Sequence, residues 1–369
     1  MEKAFKYRIY PNKTQQVLIQ KTFGCCRFVY NYYLDKKIKL YESEKKSFGY
    51  NNCSKDLTML KKSLEWLKEP DKDSLQKALK DLDTAYKNFF KNKFGYPKFK
   101  SKKERHKSYR TSCTNNNIKY LGRHIQLPKL GKVKITDKMI PKGRILNATV
   151  SQEPDGKYYV SLCCTDVVNY PLHLTNKNTG IDLGIESFAT FSNGHKIGNM
   201  RFYEKSEKKL AKLQKEMSRK TKGGSNWNKA RIKVARLQKH IAEQRRDWMQ
   251  KLTTDIIRNY DNICIEDLKV SKMKEENLET NKKSHVRHKH IGDVSWHEFR
   301  RELEYKCKWY GKQLKIVDQY YPSSQICHCC GNNGGKKEVD IRIWKCKYCG
   351  VVLDRDVNAA VNILNEGMK

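Results

Sequence analysis

Residues 180–194 read GIDLGIESFATFSNG. Apolar and polar residues alternate through Ile181, Asp182 and Leu183, a turn is available at Gly184, and Phe188, Ala189 and Phe191 open a second apolar run. The stretch therefore predicts two strands around a turn, opening a domain that begins after residues 176–179. Neighbouring side chains in a strand point to opposite faces, so Asp182 projects away from Ile181 and Leu183, with room beside it at Gly184. Taken singly, such an acid is more often structural than catalytic, yet a carboxylate there is costly unless it binds something.

Downstream, a long basic stretch is broken at Gly223-Gly224 into a helical hairpin over 204–258. Leu210, Leu213 and Met217 mark one apolar stripe, and Val234, Leu237, Ile241, Trp248, Leu252 and Ile256 the other. The hairpin suits either a connector or a duplex-binding element. Asn262–Glu266 reads as a strand, Trp296–Tyr310 as a helix and Leu314–Asp318 as another strand, which together imply an α/β layer. In NICIED, Ile263 and Ile265 share one face and Cys264 and Glu266 the other, leaving Glu266 at the carboxyl end of its strand beside a competitor, Asp267. Asp356 precedes Val357, Ala360, Val361 and Leu364, a stripe at helical spacing, so it is expected at a helix start where capping alone accounts for it. What Asp182, Glu266 and Asp356 could share is chemistry: gathered hard oxygen ligands bind two magnesium ions and support phosphodiester cleavage.

Between the last two strands of that layer and Asp356 stands CHCCGNNGGKKEVDIRIWKCKYCG. Cys327 and Cys330 form one CxxC pair, Cys346 and Cys349 a second, with fifteen residues between them. This is zinc-ribbon spacing: each turn aims two thiolates at one ion, and four thiolates saturate tetrahedral zinc. Cys329 and His328 are read as bystanders. A redox pair would need no partner pair.

Toward the amino terminus, Phe5, Tyr7 and Ile9 alternate with Lys6 and Arg8 as a half-buried strand ended by Pro11 and Asn12, with Thr14 expected to cap a helix. Val17, Leu18, Cys25, Phe28, Val29 and Tyr32 recur at near-helical spacing, as do Leu75, Leu79, Leu82, Tyr86 and Phe89. Lys91 to Arg110 contains nine Lys or Arg against the single acid Glu104, with Phe94, Tyr96, Phe99 and Tyr109 interleaved. A solvated loop is the bland reading, but aromatics among cations suit nucleic acid better. From Ile118 to Thr165 the pattern turns to short alternating runs at Ile125 and Leu127, Val133 and Ile135, Ala148 and Val150, then Asp155-Gly156 turning into Tyr158, Val160 and Leu162. Residues 1–170 are thus expected to form a small β barrel or sheet with helices of about 14–110 inserted.

The 369 residues suffice for two or three domains, and 77 Lys plus Arg against 40 Asp plus Glu give a formal charge of +37. That balance requires a polyanionic partner, nucleic acid first. No apolar run approaches a spanning helix and no apolar leader opens the chain, so no membrane partner and a cytoplasmic, nucleoid-associated location are expected. Thirteen cysteines, an odd and scattered set apart from the knuckle, read as reduced thiols plus one metal site.

The order GIDLGIE, NICIEDL, four-cysteine knuckle, LDRDVNAAVNIL resembles the transposon-encoded TnpB nucleases, and the resemblance extends to YRIYPNKTQ, GYPKFK, the hairpin and YYPSSQICHCCG. It implies an α+β, multidomain architecture: an amino-terminal β-barrel (wedge) domain, 1–170, then an RNase H-like (RuvC) α/β nuclease over 171–322 and 351–369, interrupted by a zinc ribbon at 323–350. It implies an RNA-guided DNA endonuclease whose guide RNA comes from the transposon end, cutting double-stranded target DNA beside a short adjacent motif. The catalytic, magnesium-binding acids would be Asp182, Glu266 and Asp356, with Asp354 ranked lower, and the zinc ligands Cys327, Cys330, Cys346 and Cys349. A guide–target heteroduplex of about twenty base pairs presents about forty phosphates, on the scale of the charge here. CHCCG departs from the family's usual single pair. His285, His288 and His290 in 271–292 could suggest a further metal, but a mobile lid is the reading preferred. Alternatives are a nuclease-inactive RNA-guided repressor, against which the intact acids argue, a transposase acting directly in strand transfer, and a zinc-ribbon regulator without catalysis.

Overall fold

The computed structural model describes residues 1–92, 94–104, 106–268, 292–338 and 341–369. The chain divides into two compact units, Met1–Val168 and Asn169–Lys369.

The first unit is built on a seven-stranded antiparallel sheet. Its strands are β1 (Lys3–Tyr10), β2 (Lys107–Ser112), β3 (Lys119–Tyr120), β4 (His124–Leu127), β5 (Gly131–Ile135), β6 (Arg144–Gln152) and β7 (Tyr158–Thr165), in the order β2-β6-β7-β1-β5-β4-β3. The period-two alternation holds: Phe5, Tyr7, Ile9, Ile125, Leu127, Val133, Ile135, Ala148, Val150, Val160 and Leu162 are all buried in one core. Against them pack α1 (Lys13–Glu44), α2 (Tyr50–Ser63) and α3 (Lys72–Asn92) through residues such as Ile19, Val29, Leu57, Leu75 and Leu79. Asn12, rather than Thr14, caps α1. Its Oδ1 accepts from the Gln15 N–H at 2.8 Å while Gln15 Oε1 accepts from the Asn12 N–H at 3.0 Å, a reciprocal capping box.

The sheet is open, which corrects the expected barrel. Closure would join edge strands β2 and β3, but β3 has only two residues and acids around the start and middle of α3 occupy the β2 edge. Thr111 donates to Asp71 at 2.6 Å, the Ser112 N–H donates to Asp73 and Arg110 pairs with Asp81 at 2.7 Å. An edge covered in this way needs no partner strand.

The second unit has a five-stranded mixed sheet made of β8 (Asn178–Leu183), β9 (Ser187–Phe191), β10 (Lys196–Gly198), β11 (Asn262–Glu266) and β12 (Gln313–Val317), ordered β10-β9-β8-β11-β12. Strands β8, β11 and β12 run parallel, and β8, β9 and β10 antiparallel. Parallel neighbours need crossovers, supplied by the hairpin of α4 (Phe202–Ser218) and α5 (Ser225–Asn259) and by α6 (Trp296–Tyr310). Ile181, Phe188, Ile263 and Ile265 share a core with Met249, Ile256, Phe299 and Leu303 of α5 and α6. The opposite face carries α7 (Arg355–Met368), with Cys264 packed against Val317 and Ile363. This helix comes so close that a Cβ at Gly180 would lie 2.1 Å from the Ala360 carbonyl oxygen, so only glycine fits there. Strand β11 is therefore covered on both faces, which explains its nearly unbroken apolar run.

Candidate functional site

The acids arise from the two-residue period of the strands and the placement of α7. Gly180 and Asp182 share the α7 face of β8, as Cys264 and Glu266 share that of β11. Asp182 lies near the carboxyl end of β8, Glu266 ends β11, and the first turn of α7 carries Asp356. Asp182 feels the other two. Burial first, then repulsion from Glu266 and Asp356, pushes the Asp182 carboxyl well above the ordinary range, against the opposing pull of Arg355 and Arg342. Burial also raises Glu266, although Ser323, whose hydroxyl donates to Glu266 Oε1, works the other way.

The structure separates the competing acids. Capping of α7 falls to Asp354 and not to Asp356: Asp354 Oδ1 accepts from the N–H groups of Asp356 and Val357, each at 3.0 Å. Burial opposes its ionisation, but Lys196 at 2.7 Å and those N–H groups outweigh it and hold the Asp354 carboxyl below the usual value. Helix α7 starts one residue before Asp356, whose side chain is thereby released from capping. It meets Arg342 at 3.3 Å and Lys196 at 3.8 Å, and Arg342 also reaches Glu186 at 2.6 Å. Asp267 turns instead to Arg300, with which it pairs. Beside Glu266 a cleft of about 490 Å³ is lined by Leu183, Asp267, Trp296, His297, Arg300 and Arg301. In open α/β sheets, the carboxyl ends of the strands are where ligands bind.

The four cysteines of the knuckle come together. Their sulfur atoms all lie within 4.8 Å of one another, with Cys327 to Cys349 and Cys330 to Cys346 both at 3.7 Å. Tetrahedral zinc with Zn–S bonds of about 2.3 Å spaces its sulfurs by about 3.8 Å. Backbone N–H groups of Cys349 and Tyr348 point at Cys346 and, against its desolvation, draw its thiol down to about 6. An all-sulfur donor set in this geometry fits a zinc ribbon. Cys329 stays outside the group and exposed, 3.4 Å from His328 Nε2, while His328 Nδ1 lies 3.0 Å from Asn358 Oδ1. Among the described residues, no other set of three or more His, Cys, Asp or Glu is gathered as tightly. His285, His288 and His290 lie outside the described residues.

Polar residues that sequence reasoning passed over tie the ribbon to the acids. The buried Asn358 and Asn362 each donate to the carbonyl of Ile326 at 2.7 Å, and Asn362 also to that of Ser323 at 2.8 Å. They fix the ribbon's entry on α7, which in turn aims Ser323 at Glu266. The signal was present in VNAAVN: two asparagines at i and i+4 on an otherwise apolar helix face must be satisfied by something. In the first unit, Phe94, Tyr96 and Phe99 of the basic aromatic run are exposed, whereas Tyr109 is buried on β2. No described helix is long and apolar enough to cross a membrane.

Comparison with known proteins covers the whole chain. A family model described as "Probable transposase" (OrfB_IS605) matches residues 161–277, one described as "Cas12f1-like, TNB domain" matches 296–363, and a "Helix-turn-helix domain" model matches 1–46. Over its full length the chain is 39% identical to a Streptomyces pristinaespiralis protein named "Putative RNA-guided DNA endonuclease", covering 90% of it. Over 99% of its length it is 36% identical to "Putative RNA-guided DNA endonuclease InsQ" of Escherichia coli K12, covering 92% of that protein. Among solved structures, the "Cryo-EM structure of the Cas12f1-sgRNA-target DNA complex" matches over 98% of both chains with a TM-score of 0.58 at 13% identity, a likeness of fold. Fold and knuckle thus define a mixed α/β, multidomain protein similar in fold to Cas12f1, with a four-cysteine cluster that fits a zinc ribbon. Within that class, the chain belongs to the TnpB family.

Proposed function

We propose that this protein is an RNA-guided DNA endonuclease, with Asp182, Glu266 and Asp356 as its metal-binding catalytic acids. The observation that carries the site assignment is that Asp182, buried near the carboxyl end of β8, feels the charges of both Glu266 at the end of β11 and Asp356 in the first turn of α7. Like charges brought together in a half-buried place form a site for hard cations, and an all-oxygen donor set suits magnesium. Bound there, two magnesium ions would supply an activated water and charge stabilisation for the leaving oxygen. The chain's own groups do the rest. Ser323 orients Glu266, Asp354 caps α7 so that Asp356 faces the site, and Arg300 and Arg301 line the cleft where a phosphodiester backbone would lie. In this reading the second unit is RuvC-like and the four cysteines hold structural zinc. The guide RNA derives from the transposon end, and the first unit grips the guide–target duplex by charge and shape.

The test of function is to purify the protein with RNA from its own element and incubate it with a plasmid carrying the matching sequence. Magnesium-dependent linear product, abolished by chelator, supports the reading. A complex that binds the target without cutting it favours the repressor reading, and joined strands the transposase.

A pH prediction follows from the raised Asp182. A carboxyl with a higher pKa folded than unfolded holds its proton longer in the native state, so stability falls as pH rises above the ordinary carboxylate range. In chelator, Asp182→Asn is expected to raise the Tm at neutral pH and to gain little near pH 4. Magnesium is expected to raise the Tm of the original protein and leave that of the variant almost unmoved. Differential scanning fluorimetry across pH, with and without magnesium, checks both statements.

A further inference from the structure

The first unit holds a cavity that the nuclease chemistry does not use. It measures about 450 Å³ and lies where the carboxyl end of α1, the segment entering α2 and the carboxyl end of α3 meet Tyr96. Its wall is aromatic. Tyr86 and Phe90 stack with ring centroids 6.3 Å apart, and Phe89 meets Phe90 and Tyr96 edge-on at 5.0 and 5.2 Å. The hydroxyls of Tyr86 and Tyr96 bond each other at 2.9 Å, which sets the orientation of both rings. Three rings of the wall are exposed, Phe90 at 74%, Tyr41 at 60% and Tyr96 at 45%, with Lys45 lying 5.3 Å from the Tyr41 ring centroid.

The rim is cationic. Lys37 sits 4.9 Å above the Tyr86 ring, and Lys46 and Lys87 also line the cavity, Lys46 paired with the neighbouring Glu44 at 3.0 Å and Lys87 with Asp83 at 2.9 Å. A satellite core would bury its large rings, whereas here fixed π-faces stand open beside ammonium groups. That combination suits a ligand that is flat and aromatic at one end and anionic at the other. An apolar peptide would leave the lysine rim unmatched. An unstacked nucleotide matches both parts, and the volume is in the range of small-ligand sites.

We infer that this cavity takes an unpaired nucleotide of the bound RNA, its base against Phe90 and Tyr41 and its phosphates at Lys37 and Lys46. The inference rests on the guide-RNA reading above and adds a base-stacking contact to it. RNA is favoured over the target strand because the bases of a guide–target duplex are paired and stacked, whereas folded RNA offers unpaired bases in its loops and ends.

The test uses the full chain assembled with its RNA. Tyr41 and Phe90 are exposed, so a Tyr41→Ala/Phe90→Ala double variant is expected to fold normally, checked by an unchanged circular dichroism spectrum and zinc content. Its RNA affinity is expected to fall by about tenfold, the scale of losing one base–aromatic stack, while Phe90→Trp retains affinity. Ultraviolet crosslinking of the original complex is expected to leave ribonucleotide adducts on peptides from 37–49 or 86–96. An affinity of the double variant within twofold of the original overturns the assignment, as do adducts that carry only deoxynucleotides and form only with target DNA. If the original protein binds no RNA at all, the guided-nuclease reading itself falls, a separate outcome.

Discussion

Asp182→Ala is expected to lower cleavage of a guide-matched target by on the order of 10³-fold or more while leaving RNA and target affinity within about twofold. Its strand neighbours Ile181 and Leu183 pack into the core on the opposite face, and the face it shares with Gly180 is the one that carries the other acids. Removing the carboxylate also relieves its burial and the repulsion from Glu266 and Asp356, which together push its pKa up, so the variant should be at least as stable as the original. Loss of cutting with gain of stability is the signature of a functional acid. A structural one would show the reverse. Asp354→Ala supplies the contrast: it removes the cap of α7 and the Lys196 contact, so it is expected to cost about 1 kcal/mol of stability and reduce cutting only partially. Cleavage rates on plasmid, paired with binding measured in magnesium-free buffer, separate the two.

The second large effect concerns the knuckle. Cys346→Ser is expected to abolish zinc binding, taking metal content from one zinc per chain to none, because the small cluster of Cys327, Trp344, Cys346 and Leu353 is too slight a core to hold the ribbon by itself. Structural zinc in such modules is worth about 10 kcal/mol or more of apparent folding free energy. The damage should spread inward. Ser323 and Ile326, which enter the ribbon, are the acceptors of Asn358 and Asn362, and Ser323 holds Glu266. Arg342, whose segment leads into the ribbon's hairpin, holds Asp356. Cleavage is therefore expected to vanish even though no cysteine contacts the acids. Cys329→Ser, at an exposed position outside the cluster, should keep its zinc and its activity. Metal analysis of both purified variants, followed by the cleavage assay, reads out the difference.

Much of this was legible in the sequence because it depends on local period. The apolar positions of β1 and β4 to β7 lie in the core where alternation places them, and the two CxxC pairs converge as their spacing demands. Strand alternation also places Asp182 and Glu266 on a common face. What was not legible depends on register and on distant partners. An open sheet and a closed barrel share the same alternation, and the short β3 edge together with Asp71 and Asp73 along β2 decides between them. Which acid of DRD caps α7 turns on where the helix begins, a matter of one residue. Similarly, Thr14 and Asn12 are both good caps, and Gln15 three positions after Asn12 decides between them. Along α1 the apolar residues surround the helix, so the expected stripe included Val17, which is 56% exposed, and missed the buried Ile19 and Phe23. Ser323 and Asn358 look like ordinary loop and helix residues until the chain brings Glu266 and Ile326 to them.

The most direct measurement is to retarget the protein. Two RNAs that differ only in their guide segment are each combined with the protein and magnesium, and each complex is offered two plasmids bearing one or the other matching sequence beside the same adjacent motif. Linear product should appear only in the two matched combinations, and in neither with Asp182→Ala. Cutting that ignores the guide, or strand joining in place of plain cleavage, would contradict the account.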